Sequence, residues 1–86
     1  MPVKNAFIVT NSDQFDRVLT SLRLSGATWA DHLPAESRLG QFGAVYAGQP
    51  LVIRRTFDQL DVLPTVDQTA LEMNGYRVIF DGRYQK

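Results

Sequence analysis

The chain has 86 residues, of which 44% are hydrophobic, 21% charged and 10% aromatic, so it is one folded domain and not a disordered or low-complexity segment. Lys+Arg and Asp+Glu both number 9, and residues 1–43 and 44–86 balance separately, so neither half is a basic arm built to neutralise phosphates. The count of 0 cysteines excludes disulfides, thiolate chemistry, iron–sulfur ligation and Cys-based zinc sites.

Residues 3–10 are rich in β-branched and aromatic side chains and predict a strand. Phe7 and Val9 fall on one face and Ala6 and Ile8 on the other, as in an inner strand covered on both sides. The same apolar run is too short for the core of a signal peptide or for a bilayer span, so the expectation is a soluble, cytoplasmic protein with no membrane partner. Asn11 or Ser12 then caps a helix, with Gln14 placed as in a capping box and Asp13 and Asp16 in the first turn, where the helix dipole favours anions. Phe15, Val18, Leu19 and Leu22 make a single apolar stripe, and Gly26 marks the end. Trp29 reads as core folding back on the sheet, or as a surface platform for a ligand. Residues 31–41, punctuated by Pro34 and Gly40, have no clean period and predict a loop long enough to carry function.

Residues 42–47 and 51–57 read as two strands of a hairpin joined by Gly48-Gln49-Pro50. In the second run Leu51, Ile53, Arg55 and Phe57 share one face and Val52, Arg54 and Thr56 the other. Residues 58–64 read as a connector whose Leu60, Val62 and Leu63 pack inward. Thr65 caps a short second helix containing Ala70, Leu71 and Met73, which Asn74-Gly75 stops. A last strand covers residues 76–81, with Tyr76, Val78 and Phe80 on one face and Arg77 and Ile79 on the other. The order β-α-β-β-α-β predicts an α+β ferredoxin-like split plait: a mainly antiparallel four-stranded sheet with both helices on one face. A three-stranded sheet with one main helix is the alternative.

Signals for catalysis are thin, and the expectation is a non-enzymatic protein without cofactor or metal. His32, the one histidine, sits among Asp31, Glu36 and Ser37, but catalytic triads are assembled in space and polar residues are what loops contain. A lone histidine without a second ligand at helical spacing gives no metal set, and Gly40-Gln41-Phe42-Gly43 lacks the spacing and lysine of a phosphate loop. Phe42-Gly43-Ala44-Val45-Tyr46 resembles part of the stacking motif of RNA-recognition domains, yet Ala44 and Ala47 stand where aromatics should stack. Arginine and aromatic residues are abundant enough for an interaction surface, with Trp29, His32, Tyr46, Arg54, Arg55, Arg77 and Tyr84 as candidates. A protein partner or self-association is the leading reading. Single-stranded nucleic acid, gripped by Tyr46, Arg54, Arg55, Arg77, Arg83 and Tyr84, is the alternative.

The stretch from Ser12 to Leu19 followed by Leu22, Gly26, Trp29 and Pro34, with the later Gly48-Gln49-Pro50-Leu51-Val52-Ile53 and Asn74-Gly75-Tyr76-Arg77-Val78-Ile79, resembles small bacteriophage and prophage α+β proteins. That resemblance implies an accessory or host-interaction role in a bacterial cell and hands over no catalytic residue.

Overall fold

The computed structural model describes residues 4–84; Val3, where the predicted first strand began, and the tail residues Gln85 and Lys86 lie outside them. Strand β1 (Lys4–Val9) leads directly into helix α1 (Ser12–Arg23). Asn11 is the cap: its side chain accepts the Gln14 N–H at 2.9 Å, satisfying a backbone donor that the first helical turn leaves free. The predicted stripe of Phe15, Val18, Leu19 and Leu22 is buried. The chain then forms the short strand β2 (Thr28–Trp29), a 3₁₀ turn (Ala35–Arg38) and a one-turn helix α2 (Phe42–Val45). Strands β3 (Leu51–Thr56) and β4 (Gln59–Leu63), helix α3 (Gln68–Met73), strand β5 (Arg77–Asp81) and a last 3₁₀ turn (Gly82–Tyr84) complete it.

The fold is α+β, but it is not the four-stranded plait expected from the element order, nor the three-stranded alternative. The sheet has five strands in the order β2-β4-β3-β1-β5 and is mixed. β1 runs antiparallel to β3 and parallel to β5, β3 antiparallel to β4, and β2 parallel to β4. β1 is an inner strand, as its two apolar faces imply. Phe7 and Val9 join Leu51, Ile53 and Leu60 beneath α1, the first 3₁₀ turn and α2, whereas Ala6, Ile8 and Val52 pack with Leu71 of α3 on the opposite face. The two main helices therefore cover opposite faces instead of sharing one.

The fifth strand is β2, at residues not expected to form one, and local corrections elsewhere accompany it. The predicted strand at residues 42–47 is instead helix α2 and its exit, because Phe42 and Val45 both serve the α1-side core, a spacing that one helical turn satisfies and a strand cannot. Phe42 meets Phe15 edge-on at 5.7 Å between ring centres. The hairpin is formed by β3 with β4 about the tight turn Phe57-Asp58, so the predicted connector is itself a strand. Phe57 takes a φ of 57°, a left-handed value that a bulky side chain rarely adopts and that gives no signal in sequence. In β5 a register shift puts Val78 beside Ala6 but Phe80 beside Phe7, so Val78 and Phe80 pack on different faces and not on one. The second helix is capped by Asp67, which accepts the Ala70 N–H at 3.0 Å, and not by Thr65.

Near the last turn the packing is tightest. The Gln14 amide oxygen accepts from the backbone N–H of Thr10 at 2.7 Å and from its hydroxyl at 2.9 Å, while the amide nitrogen donates to the Gly82 carbonyl at 3.1 Å. One buried side chain thus ties the β1–α1 junction to the end of β5.

Candidate functional site

β2 pairs with β4 only through Thr28 opposite Gln59 and Trp29 opposite Leu60, so among the described residues the outer edge of β4 beyond Leu60 has no neighbouring strand. Because Thr56 and Gln59 close a tight hairpin turn, the antiparallel ladder alternates from that pair, and the backbone groups of Leu60 and Val62 aim away from β3. The N–H of Thr28 donating to the Asp58 carbonyl at 2.8 Å fits the same alternation. At Val62 the outward N–H and C=O therefore face an open edge.

Beside that edge lies a groove of about 390 Å³ lined by Trp29, Ala30, Arg38, Val45, Leu60, Asp61, Val62 and Pro64. Its floor is apolar. Trp29, only 3% exposed, is held by its indole N–H donating to the Ala35 carbonyl at 3.2 Å, which satisfies the one polar atom that burial would otherwise strand. Arg38 lies over the Trp29 ring, its guanidinium carbon 4.6 Å from the centroid. The first 3₁₀ turn brings it there from the segment read as an irregular loop. Its one ion pair among the described residues is with Asp31 at 3.6 Å, too long for a hydrogen bond. Asp31 is engaged locally as well, accepting the Leu33 N–H at 3.1 Å.

Asp61, at the groove's far rim, is already taken. On the α3-side face it receives two hydrogen bonds from Arg54, at 2.9 and 2.6 Å, and this bidentate contact is the main reason that the Arg54 guanidinium is held above its ordinary pKa. Arg54 also lies over the Tyr76 ring at 5.2 Å, and the Tyr76 hydroxyl and Thr56 share a 2.6 Å hydrogen bond.

The candidates chosen from sequence do not converge on one surface. Trp29 is in the groove floor, and not an exposed platform. His32 is exposed near the groove, at a left-handed turn position with φ of 68°, but does not line it. Tyr46 is 42% exposed and stacks on Phe42 at 4.8 Å, near the Leu51 end of the sheet. Arg54 and Arg55 point to opposite faces: Arg54 meets Tyr76, whereas Arg55 donates to the Phe57 carbonyl at 2.7 Å and pairs with Asp58 at 3.9 Å. Arg77 is exposed on β5 beside Asn5, whose other neighbour is Arg55. Tyr84 is exposed after β5, at the sheet edge opposite the groove, under Arg83 at 5.4 Å. Sequence reasoning missed Arg38, Val45, Val62 and Pro64; the alternation in Gln59-Leu60-Asp61-Val62 was the one signal that marked an edge strand there.

No group of three metal-ligating side chains occurs among the described residues, and no helix there is long and apolar enough to cross a membrane. No protein-family model, curated protein or solved structure matches the chain.

Electrostatics elsewhere make one pH-dependent contribution. Arg83 grips Asp81 with side-chain hydrogen bonds of 2.9 and 2.7 Å, which chiefly hold the Asp81 carboxyl below its ordinary pKa. A carboxyl with a lowered folded pKa stabilises the fold above the unfolded value, near 4, and loses that contribution as pH falls through the folded value. Urea midpoints at pH 6 and pH 2.5 should therefore fall further for the native protein than for Asp81→Asn. The difference should be about 1 kcal/mol or less, since the pair is partly solvated. Equal falls would remove Asp81 from the acid response.

Proposed function

We propose that this chain is a small non-enzymatic protein-interaction module that accepts an extended segment of a partner protein along the open edge of β4. Under this reading it is a cytoplasmic accessory protein of the phage or prophage kind that its sequence resembles. The observation that carries the proposal is the outward N–H and C=O of Val62 beside a groove floored by Trp29. Strand addition uses this combination: unpaired edge groups supply main-chain hydrogen bonds, and a neighbouring pocket receives alternate side chains. The nucleic-acid reading draws little from the geometry, because Arg54 is neutralised by Asp61 on one face and Arg55 lies on the other.

The test is an affinity pull-down from bacterial lysate, with and without nuclease, using the native protein and Val62→Pro. Proline removes an outward N–H without breaking the β3 ladder, so the variant should keep its far-ultraviolet circular dichroism. The expected result is a protein retained in both nuclease arms by the native chain and lost by Val62→Pro. Retention that nuclease abolishes, or that a folded Val62→Pro preserves, would sink the proposal.

A further inference from the structure

Resting on that reading, the geometry points to the chemistry of the segment: we infer that the β4 groove selects an extended peptide that places an acidic side chain against Arg38, two positions from an apolar residue facing Val62.

Arg38 is half-buried and stacked 4.6 Å over Trp29, and its guanidinium makes no hydrogen bond to the protein among the described residues. A planar fork whose orientation is already set by stacking loses little freedom when it receives a carboxylate. Asp31 is a weak competitor at 3.6 Å, and half its carboxylate is engaged by the Leu33 N–H. The other charged group on the groove, Asp61, is satisfied by two hydrogen bonds from Arg54 and presents no unpaired charge. Among the described residues lining the groove, Arg38 is thus the charged group that no hydrogen-bonded counter-charge holds.

The apolar preference follows from the strand lane. A segment added beside Val62 takes up the lane in which β2 pairs with Leu60, and its side chains alternate between the two faces of the sheet. The residue level with Val62 faces the α1-side core, where Val62 and Val45 are only partly buried and Trp29 supplies the floor. Arg38 lines the same groove, so the next residue on that face, two positions along, is the one that meets it. An aliphatic or aromatic residue two positions from Asp or Glu, in an otherwise extended sequence, fits both features.

A displayed library of random octapeptides, selected on the native protein, tests this. The best recovered sequence is then synthesised with acetylated and amidated ends, and its affinity measured for the native protein, Arg38→Gln and Val62→Pro, each first checked for native circular dichroism. The expected result is enrichment of Asp or Glu two positions from an aliphatic or aromatic residue, with binding weakened about tenfold or more by Arg38→Gln, by Val62→Pro and by changing the peptide's acid to its amide. Peptides that bind the edge, lose binding with Val62→Pro and ignore Arg38→Gln would overturn the acidic preference while leaving strand addition intact. Recovery of basic sequences, or of no binder, would also overturn it. Sedimentation of the protein alone completes the test: a dimer that Val62→Pro dissolves would assign the groove to a second copy and overturn the inference.

Discussion

Phe15→Ala should lower stability by about 3–5 kcal/mol, the range for deleting a large aromatic side chain from a packed core. Phe15 is 1% exposed and joins α1 to the sheet and, through its edge-on contact with Phe42, to α2. A chain of 86 residues has roughly 4–13 kcal/mol of total stability, so this one change removes a large share of it. The expected fall in Tm is roughly 15–30 °C, measured by circular dichroism alongside the urea midpoint. Leu24→Ala is the control: that side chain is 83% exposed and its loss should cost no more than about 0.5 kcal/mol. A cost below about 1.5 kcal/mol for Phe15→Ala would mean that α1 is not seated on the sheet as described.

Gly82→Ala should be nearly as damaging, although it adds a single carbon. A Cβ at position 82 would lie 2.6 Å from the Gln14 amide carbon and 2.9 Å from the Ile8 carbonyl oxygen, and closer still to the Gln14 amide oxygen. Making room requires displacing Gln14, which would leave the Thr10 N–H without its acceptor and the Gly82 carbonyl without its donor, together with a small shift away from the Ile8 carbonyl. Overpacking and a stranded buried polar group each cost about 1–3 kcal/mol, so about 2–4 kcal/mol is expected in a urea titration. The mechanism is checked by combining Gly82→Ala with Gln14→Ala. Removal of the obstructing amide should make the double variant less damaged than the sum of the singles. Strict additivity would show that Gln14 is not what the new methyl meets.

β1 and α1 were legible in the sequence because each carries an uninterrupted signal: a continuous apolar run from Ala6 to Val9, as in a strand covered on both faces, then the 3.6-residue stripe from Phe15 to Leu22. Residues 42–46 misled because Phe, Val and Tyr favour strands by composition, while the spacing of Phe42 and Val45 that decides for a helical turn spans only four residues. β4 alternates well enough to be read, but the turn before it holds Phe57 where glycine or asparagine is the usual signal, so the hairpin was assigned one strand too early. That displacement moved the hairpin, and the two-residue β2, too short to leave a pattern, added the fifth strand. Trp29 was the one candidate that belongs to the groove, chosen from its type and its place after α1. The rest of the groove comes from four segments that only the sheet brings together, and Arg38 had no distinguishing pattern around it.

The parallel partnership of β1 with β5 also governs how the chain reaches its fold. Asn5 pairs with Arg77, so this inner strand waits for a neighbour that lies most of the chain away. Contacts of such long sequence separation require loop-closure entropy to be lost before they contribute, which slows folding relative to a helical protein of equal size. During synthesis β1 meets β3 first, and until β5 arrives its other edge is open and apolar. Until that edge is covered, the chain presents an unpaired inner strand open to misassembly.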